Sequence, residues 1–208
     1  MKKYLIIVIL FFFISCKEEE NGESTKESLT GIPAPTIINA TVKSVYEHDV
    51  AAYTQGLEFY NGFLFESTGD FENSSLRRTD FKTGKVLEKY SMGSKQIFGE
   101  GITIMKDKIY QLTWKEKTGF IYNANTFKLE KTFTYDKDIE GWGMTNDGTH
   151  LYQTDGTEKI WKKNPATQKM IDYVNVYSGS SKIPSINELE WINGKIFCNV
   201  WQKDAIAI

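Results

Sequence analysis

Phe98-Gly99-Glu100-Gly101 sets a carboxylate between two glycines, directly ahead of an alternating strand pattern running from Ile102 to Trp114. A carboxyl group flanked in this way can approach a ligand closely, and apolar walls would suit it to taking and returning a proton. The same layout recurs along the chain. Leu57, Ile102, Met144 and Leu189 share one position in it, at spacings of 45, 42 and 45 residues. Leu64, Ile109, Leu151 and Ile196 each follow seven residues on. Two residues ahead of the shared position stand Gln55, Glu100, Trp142 and Asn187, and twelve residues after it stand Gly69, Trp114, Gly156 and Trp201. One carboxylate, two amides and three tryptophans make the mixture of a small polar-ligand pocket with apolar walls. Core packing alone does not call for that composition.

The elements that must position these residues are strands. Alternating pairs such as Leu57/Phe59, Ile102/Ile104 and Leu189/Trp191 are separated by the turn pairs Asn61-Gly62, Asp147-Gly148 and Asn193-Gly194. Each unit continues into a second hairpin, whose turns are Asp80-Phe81-Lys82-Thr83-Gly84, Asn123-Ala124-Asn125 and Asn164-Pro165-Ala166. Four strands per unit at a period of about 40–50 residues predicts an all-β chain of propeller blades. A β-sandwich would use similar strands without the repeat. In a propeller, equivalent positions lie on one ring about the central channel. Antiparallel pairing then brings Glu100 beside Trp114 and Asn187 beside Trp201 at one mouth. Trp161 and Trp191 sit mid-strand and are expected in blade cores, Asp155 reads as structural, and His48 and His150 show no partner pattern. The chain ends in the start of a further hairpin, so the pattern predicts about four blades, C-terminally incomplete, with the rest of the fourth unit and a fifth unit still needed to close the ring. Thr36–Val45 reads as an outer strand awaiting that closure.

Net charge is −2 with scattered basic residues, which excludes a nucleic-acid footprint. Two histidines and two cysteines, Cys16 and Cys198, are too few for a His- or Cys-built metal site. Met1-Lys2-Lys3-Tyr4 and the ten-residue apolar run Leu5–Ile14 read as an export signal, too short to span a bilayer. Ile14-Ser15-Cys16 reads as a bacterial lipoprotein processing site with lipid on Cys16, the alternative being an ordinary signal peptide with an incidental cysteine. The expected organisation is a signal peptide over 1–15, a polar tether over 16–35 and a propeller domain over 36–208. The protein would then be exported and lipid-anchored to the cell envelope, touching membrane only through that lipid. It is expected to be a monomer.

Several motifs together resemble the glutaminyl-peptide cyclotransferases of the plant and bacterial type. They are His48-Asp49, Tyr53-Thr54-Gln55-Gly56-Leu57, Ser67-Thr68-Gly69, Phe98-Gly99-Glu100-Gly101, Leu112-Thr113-Trp114, Glu140-Gly141-Trp142-Gly143, Thr154-Asp155-Gly156, Asn187-Glu188-Leu189-Glu190 and Asn199-Val200-Trp201. The resemblance runs in order from about Val45 to the last residue. It implies a five-bladed β-propeller that converts an N-terminal glutamine of a peptide to pyroglutamate and releases ammonia, without a metal or other cofactor. It also implies that Glu100 is the catalytic acid/base and that Gln55, Trp114, Trp142, Asn187 and Trp201 line the pocket. Tyr53, where phenylalanine is common, and Phe98 would form its aromatic wall. The family's last-blade lysine has no counterpart in this sequence.

Two other functions fit parts of the pattern. A non-enzymatic surface propeller binding peptide or glycan would keep the ring aromatics without needing a titratable Glu100. A calcium-dependent propeller hydrolase would need several inward carboxylates, whereas the ring positions offer one glutamate among amides.

Overall fold

The computed structural model describes residues 34–93 and 95–208. The signal peptide, Cys16 and nearly all of the expected tether lie outside the described residues. Seventeen strands and no helix are present among the described residues. The first blade comprises β1 (Thr54–Tyr60), β2 (Phe63–Thr68), β3 (Ser75–Thr79) and β4 (Val86–Ser91). The second comprises β5 (Gly99–Met105), β6 (Lys108–Thr113), β7 (Thr118–Asn123) and β8 (Leu129–Thr134). The third comprises β9 (Met144–Asn146), β10 (Leu151–Thr154), β11 (Lys159–Lys163) and β12 (Met170–Asn175). A small hairpin of β13 (Tyr177–Ser178) and β14 (Ser181–Lys182) leads to the fourth, with β15 (Ile186–Ile192), β16 (Lys195–Val200) and β17 (Ile206–Ala207). Every blade is an antiparallel meander in chain order, three of four strands and the last of three.

The first strands of the blades touch in the order β1, β5, β9, β15, which makes them the inner ring of a propeller. Three apolar clusters fill the three seams between successive blades. Phe65 and Leu76 meet Ile102, Ile104 and Phe120 in the first seam. Tyr110 and Leu112 meet Met144 and Leu151 in the second, and Ile160 meets Ile186, Leu189 and Cys198 in the third. Strand alternation explains the arrangement. On each inner strand the repeated apolar residue faces the preceding blade, and its neighbours face the following one. Ile102, Met144 and Leu189 are therefore buried, whereas Leu57 in the first blade is 37% exposed.

The turns follow their chemistry. Asn61-Gly62 and Asn193-Gly194 have positive φ at both residues, as a two-residue hairpin of the primed type requires. Lys106-Asp107 adopts the same conformation without either favoured residue. In the second hairpins Asp80, Asn123 and Asn164 each accept two backbone N–H groups on Oδ1, from Lys82 and Thr83, Asn125 and Thr126, and Ala166 and Thr167. The residue four places after each of them, Gly84, Phe127 or Gln168, has positive φ.

Residues 36–45 pair with no described strand, and Ile37, Ile38, Val42 and Val45 are exposed. Two expectations need correction. Trp191 does not sit in its own blade's core. It is partly buried and stacks on Tyr152 of the preceding blade at 5.6 Å, because inner-strand residues face seams. Trp161 is likewise only partly buried, against Tyr173 at 5.0 Å, with its indole N–H donated to Asp155 Oδ2 at 2.8 Å. That bond, with those from Thr157 to Oδ1, gives Asp155 the structural role expected of it.

Candidate active site

At one end of the inner ring the strand pairing is irregular in the same place in three blades. Register shifts fall between Thr54 and Gly56, between Gly99 and Ile102, and between Ile186 and Leu189. Each shift leaves one extra residue on the inner strand, a β-bulge, which re-aims a side chain that regular pleating would have pointed into a seam. Gln55, Glu100 and Asn187 stand within these bulges. In the third blade Trp142 lies just ahead of β9, where Trp142 N–H meets Thr154 O at 3.1 Å and Thr154 N–H meets Gly143 O at 3.0 Å. The backbone also joins blades here, Gly101 N–H donating to Trp142 O at 2.7 Å.

The predicted residues meet in two groups, Gln55, Glu100, Phe98, Trp114 and Tyr53 in one and Trp142 with Trp201 in the other. Gln55 Nε2 donates to Glu100 Oε2 at 2.6 Å across the first seam. Trp114 N–H pairs with Phe98 O at 3.0 Å and Trp201 N–H with Ser185 O at 2.8 Å, placing each tryptophan at the bulge end of its hairpin beside Glu100 or Asn187. Phe98 lies 5.7 Å from Trp114 and 6.1 Å from Tyr53, ring to ring. Trp142 and Trp201 meet edge to face at 5.8 Å. Glu100 is 4% exposed and Asn187 8% exposed, whereas Tyr53 and Trp201 are exposed. The polar groups therefore sit deep and aromatic rings reach toward solvent.

Burial pushes the Glu100 carboxyl up to about 9, with smaller like-charge contributions from Glu116 and Glu140 and an opposing one from the Gln55 N–H. Asn187 Oδ1 is buried without a hydrogen-bond partner among the described residues. A buried acceptor left open is costly unless a ligand satisfies it. A carboxyl that holds its proton to high pH, an open amide oxygen and a set of indole and phenyl walls can together bind a small amine and move a proton on it.

Several residues here escaped the sequence reading. Glu140 Oε2 accepts the indole N–H of both Trp114, at 2.7 Å, and Trp142, at 2.9 Å, so a single carboxylate sets the orientation of two walls. The Glu140-Gly141-Trp142 spacing was visible, but nothing in it pointed to a second indole 26 residues back. Phe71, on the turn after Gly69, lies 5.2 Å from Phe98 and extends the wall outward. Glu58, Glu188 and Glu190 bring further inward carboxylates within electrostatic reach of one another. Burial drives Glu58 up to about 7 and Glu188 well above the ordinary range. These three glutamates stand outside the ring positions, which carry the one glutamate expected of them. Among the described residues, no three His, Cys, Asp or Glu side chains converge to hold a metal ion. Nor is His48 unpartnered: its Nε2 lies 3.0 Å from Glu66 Oε1, a buried carboxylate that also accepts Thr54 Oγ1 at 2.5 Å.

Fold and site define a class: an all-β propeller with a buried carboxyl group and several aromatic rings gathered at one end of its inner strands. The chain belongs to the glutamine cyclotransferase family, whose sequence model matches residues 9–208. A curated glutaminyl-peptide cyclotransferase of Arabidopsis thaliana is 39% identical over 169 residues, covering 80% of this chain and 52% of the relative. The chain thus spans about half the length of the curated relative it matches. The crystal structure of Myxococcus xanthus glutaminyl cyclase superposes with a TM-score of 0.70 at 31% identity, covering 77% of this chain and 67% of that one. The WD40 domain of Neurospora crassa Pan2 matches with a TM-score of 0.53 at 10% identity, over 70% of this chain and 41% of that one, a likeness of fold alone.

Proposed function

We propose that the protein is a glutaminyl-peptide cyclotransferase that converts the N-terminal glutamine of a peptide to pyroglutamate with release of ammonia. The observation that carries the reading is the Glu100 carboxyl, buried, held by Gln55 and raised to about 9. Membership of the family and the likeness to the Arabidopsis and Myxococcus proteins support it.

The reaction is an exchange of C–N bonds within one residue. The α-amine nitrogen attacks the γ-carboxamide carbon, the new ring C–N bond forms, and the old bond to the amide nitrogen breaks. The attacking nitrogen loses one proton and the departing nitrogen gains one, so no water is consumed. An α-amino group ionises near 8. A carboxyl raised to about 9 is matched to it and can carry the proton from one nitrogen to the other at little cost. Glu100 performs that transfer. The open Asn187 Oδ1 receives an N–H of the amine or of the departing amide. The second N–H of Gln55 is directed at the oxygen that becomes negative during attack. Trp114, Trp142 and Trp201, with Tyr53 and Phe98, hold the glutamine side chain folded back on its own amine, which supplies the proximity the reaction needs.

The N-terminal leader and Cys16 belong to the same reading: an exported, lipid-anchored enzyme acting on peptides outside the cytoplasm. Ammonia release from a glutaminyl dipeptide, measured with chelator present and with Glu100→Gln alongside, tests the assignment. Chelator-insensitive release that disappears in the variant is expected, with dipeptide binding retained. Wild-type-like kcat in Glu100→Gln would remove Glu100 from the role.

A further inference from the structure

Phe71 is 44% exposed, yet it is held in place. Its turn, between β2 and β3, is closed by Asp70, whose Oδ1 accepts Glu72 N–H at 2.9 Å and whose Oδ2 accepts Asn73 Nδ2 at 2.9 Å. Ser74 Oγ donates to Asp70 O at 2.6 Å and accepts Gly99 N–H at 2.9 Å. Gly99 lies between Phe98 and Glu100, so the turn is tied directly to the strand that carries the acid/base. Phe71 takes no part in any of the three seam clusters. Its ring lies 5.2 Å from Phe98 and 6.5 Å from Trp114, forming with them and Tyr53 a continuous aromatic wall from the buried pocket to solvent. An aromatic ring held at the edge of the site and still 44% exposed is apolar surface that a ligand can cover.

We propose that Phe71 forms an outer subsite that receives the side chain of the second residue of the peptide and favours an aromatic or large aliphatic group there. The inference rests on the reading of the Glu100 pocket as a glutaminyl-peptide site. Consecutive α-carbons are about 3.8 Å apart across a trans peptide bond. A glutamine whose amine and side chain are both turned toward Glu100 and Asn187 must lead its chain outward along the wall, so its second side chain comes to the Phe71 and Phe98 rings. Beside Phe98 the exposed rings are Tyr53 and Phe71, and Phe71 is the one carried on a turn bonded to the Gly99 N–H.

The test is the ratio of kcat/KM for Gln-Phe to that for Gln-Gly, measured in the wild type, Phe71→Ala and Phe71→Leu. The wild type is expected to favour Gln-Phe by about tenfold, the scale of discrimination set by a modest apolar contact. Phe71→Ala should bring the ratio close to one, through KM more than kcat, and Phe71→Leu should leave it in between. If Phe71→Ala does not fold, the leucine variant decides, because it keeps an apolar side chain of similar bulk. Turnover of both peptides with a ratio that Phe71 substitution leaves unchanged overturns the subsite while the cyclotransferase reading stands. Failure of the wild type to turn over either peptide overturns that reading, and the subsite with it.

Discussion

Gln55 Nε2 lies 2.6 Å from Glu100 Oε2, although the two residues are 45 positions apart and belong to different blades. The N–H stabilises the ionised carboxylate and so opposes the burial that raises its proton affinity. Removing it in Gln55→Ala should raise the Glu100 pKa further. A hydrogen bond to a charged group contributes about 1.5–3 kcal/mol, equivalent to roughly one to two pH units. The rising limb of kcat/KM against pH is expected to move upward by about that amount, so activity at pH 7 falls more than activity at pH 9. A pH profile of the variant from 6 to 10 checks this. A uniform loss at every pH would mean that Gln55 binds substrate without tuning Glu100.

Glu140 supports the site from behind. Its Oε2 accepts two indole N–H groups, from Trp114 and Trp142, and its Oε1 lies 3.7 Å from Lys115 Nζ. Glu140→Ala leaves both indoles without their acceptor and frees both rings to turn. KM for a glutaminyl peptide should rise by about tenfold, in line with roughly 1.5 kcal/mol for a hydrogen bond to a charged group, while kcat changes less. Intrinsic tryptophan fluorescence should shift as the rings reorient. An unchanged KM with an unchanged spectrum would show that packing alone fixes the two walls.

The repeat made the blades legible because propeller geometry places equivalent positions on one ring. Leu57, Ile102, Met144 and Leu189 each begin the same inner-strand pattern, and the polar residues two places earlier gather at one mouth. The bulges that gather them were not legible. An extra residue at Gln55, Glu100 or Asn187 carries no composition of its own and shows only once β1, β5 and β15 are paired with their neighbours. Contacts far apart in sequence were hidden for the same reason. Glu140 with Trp114, and Glu188 with the Met144 N–H at 3.3 Å, join segments brought together only by the folded ring, while His48 reaches Glu66 across the start of the first blade. Turn chemistry was readable where Asn-Gly announced it and silent at Lys106-Asp107, where the flanking strands impose the same conformation.

Several glycines permit close approach at the ring, and two of them, Gly101 and Gly156, lie against Trp142. At Gly101 a Cβ would lie 2.5 Å from Glu188 Oε2 and 2.6 Å from Trp142 O, so Gly101→Ala must push the second and third blades apart beside Glu100. Gly156 has φ of 78°, and a Cβ there would lie 2.5 Å from the Trp142 ring. Gly156→Ala is expected to cost about 1–3 kcal/mol through overpacking and left-handed strain. It should also lower activity beyond that loss by displacing a pocket wall. Thermal melts and kcat/KM measured on the folded fraction separate the two effects. A destabilised variant of normal specific activity would show that Trp142 relaxes without consequence for the site.

The last prediction concerns the cost of keeping Glu100 buried. Its carboxyl ionises at 4.5 in a solvated chain and at about 9 in the fold. Between those values the unfolded chain has released a proton that the folded protein still holds. Stability contributed by this site is therefore fully present below about pH 4.5 and declines as pH rises toward 9. Other buried groups titrate as well. Glu58, raised to about 7, adds a decline at lower pH, and Lys163, lowered to about 7 by burial, opposes it above neutrality. The pH dependence of the wild type alone is thus a composite. The difference between Glu100→Gln and wild type isolates one site, because the amide keeps the shape and an acceptor for Gln55 but cannot ionise. The variant should melt close to wild type at pH 5 and progressively above it toward pH 9, at about 2–4 °C per kcal/mol for a protein of this size. Catalysis would be lost in the same variant. A melting difference that stays flat across this range would mean that Glu100 ionises near its ordinary value, and the proton-transfer role built on its raised affinity would fall with it.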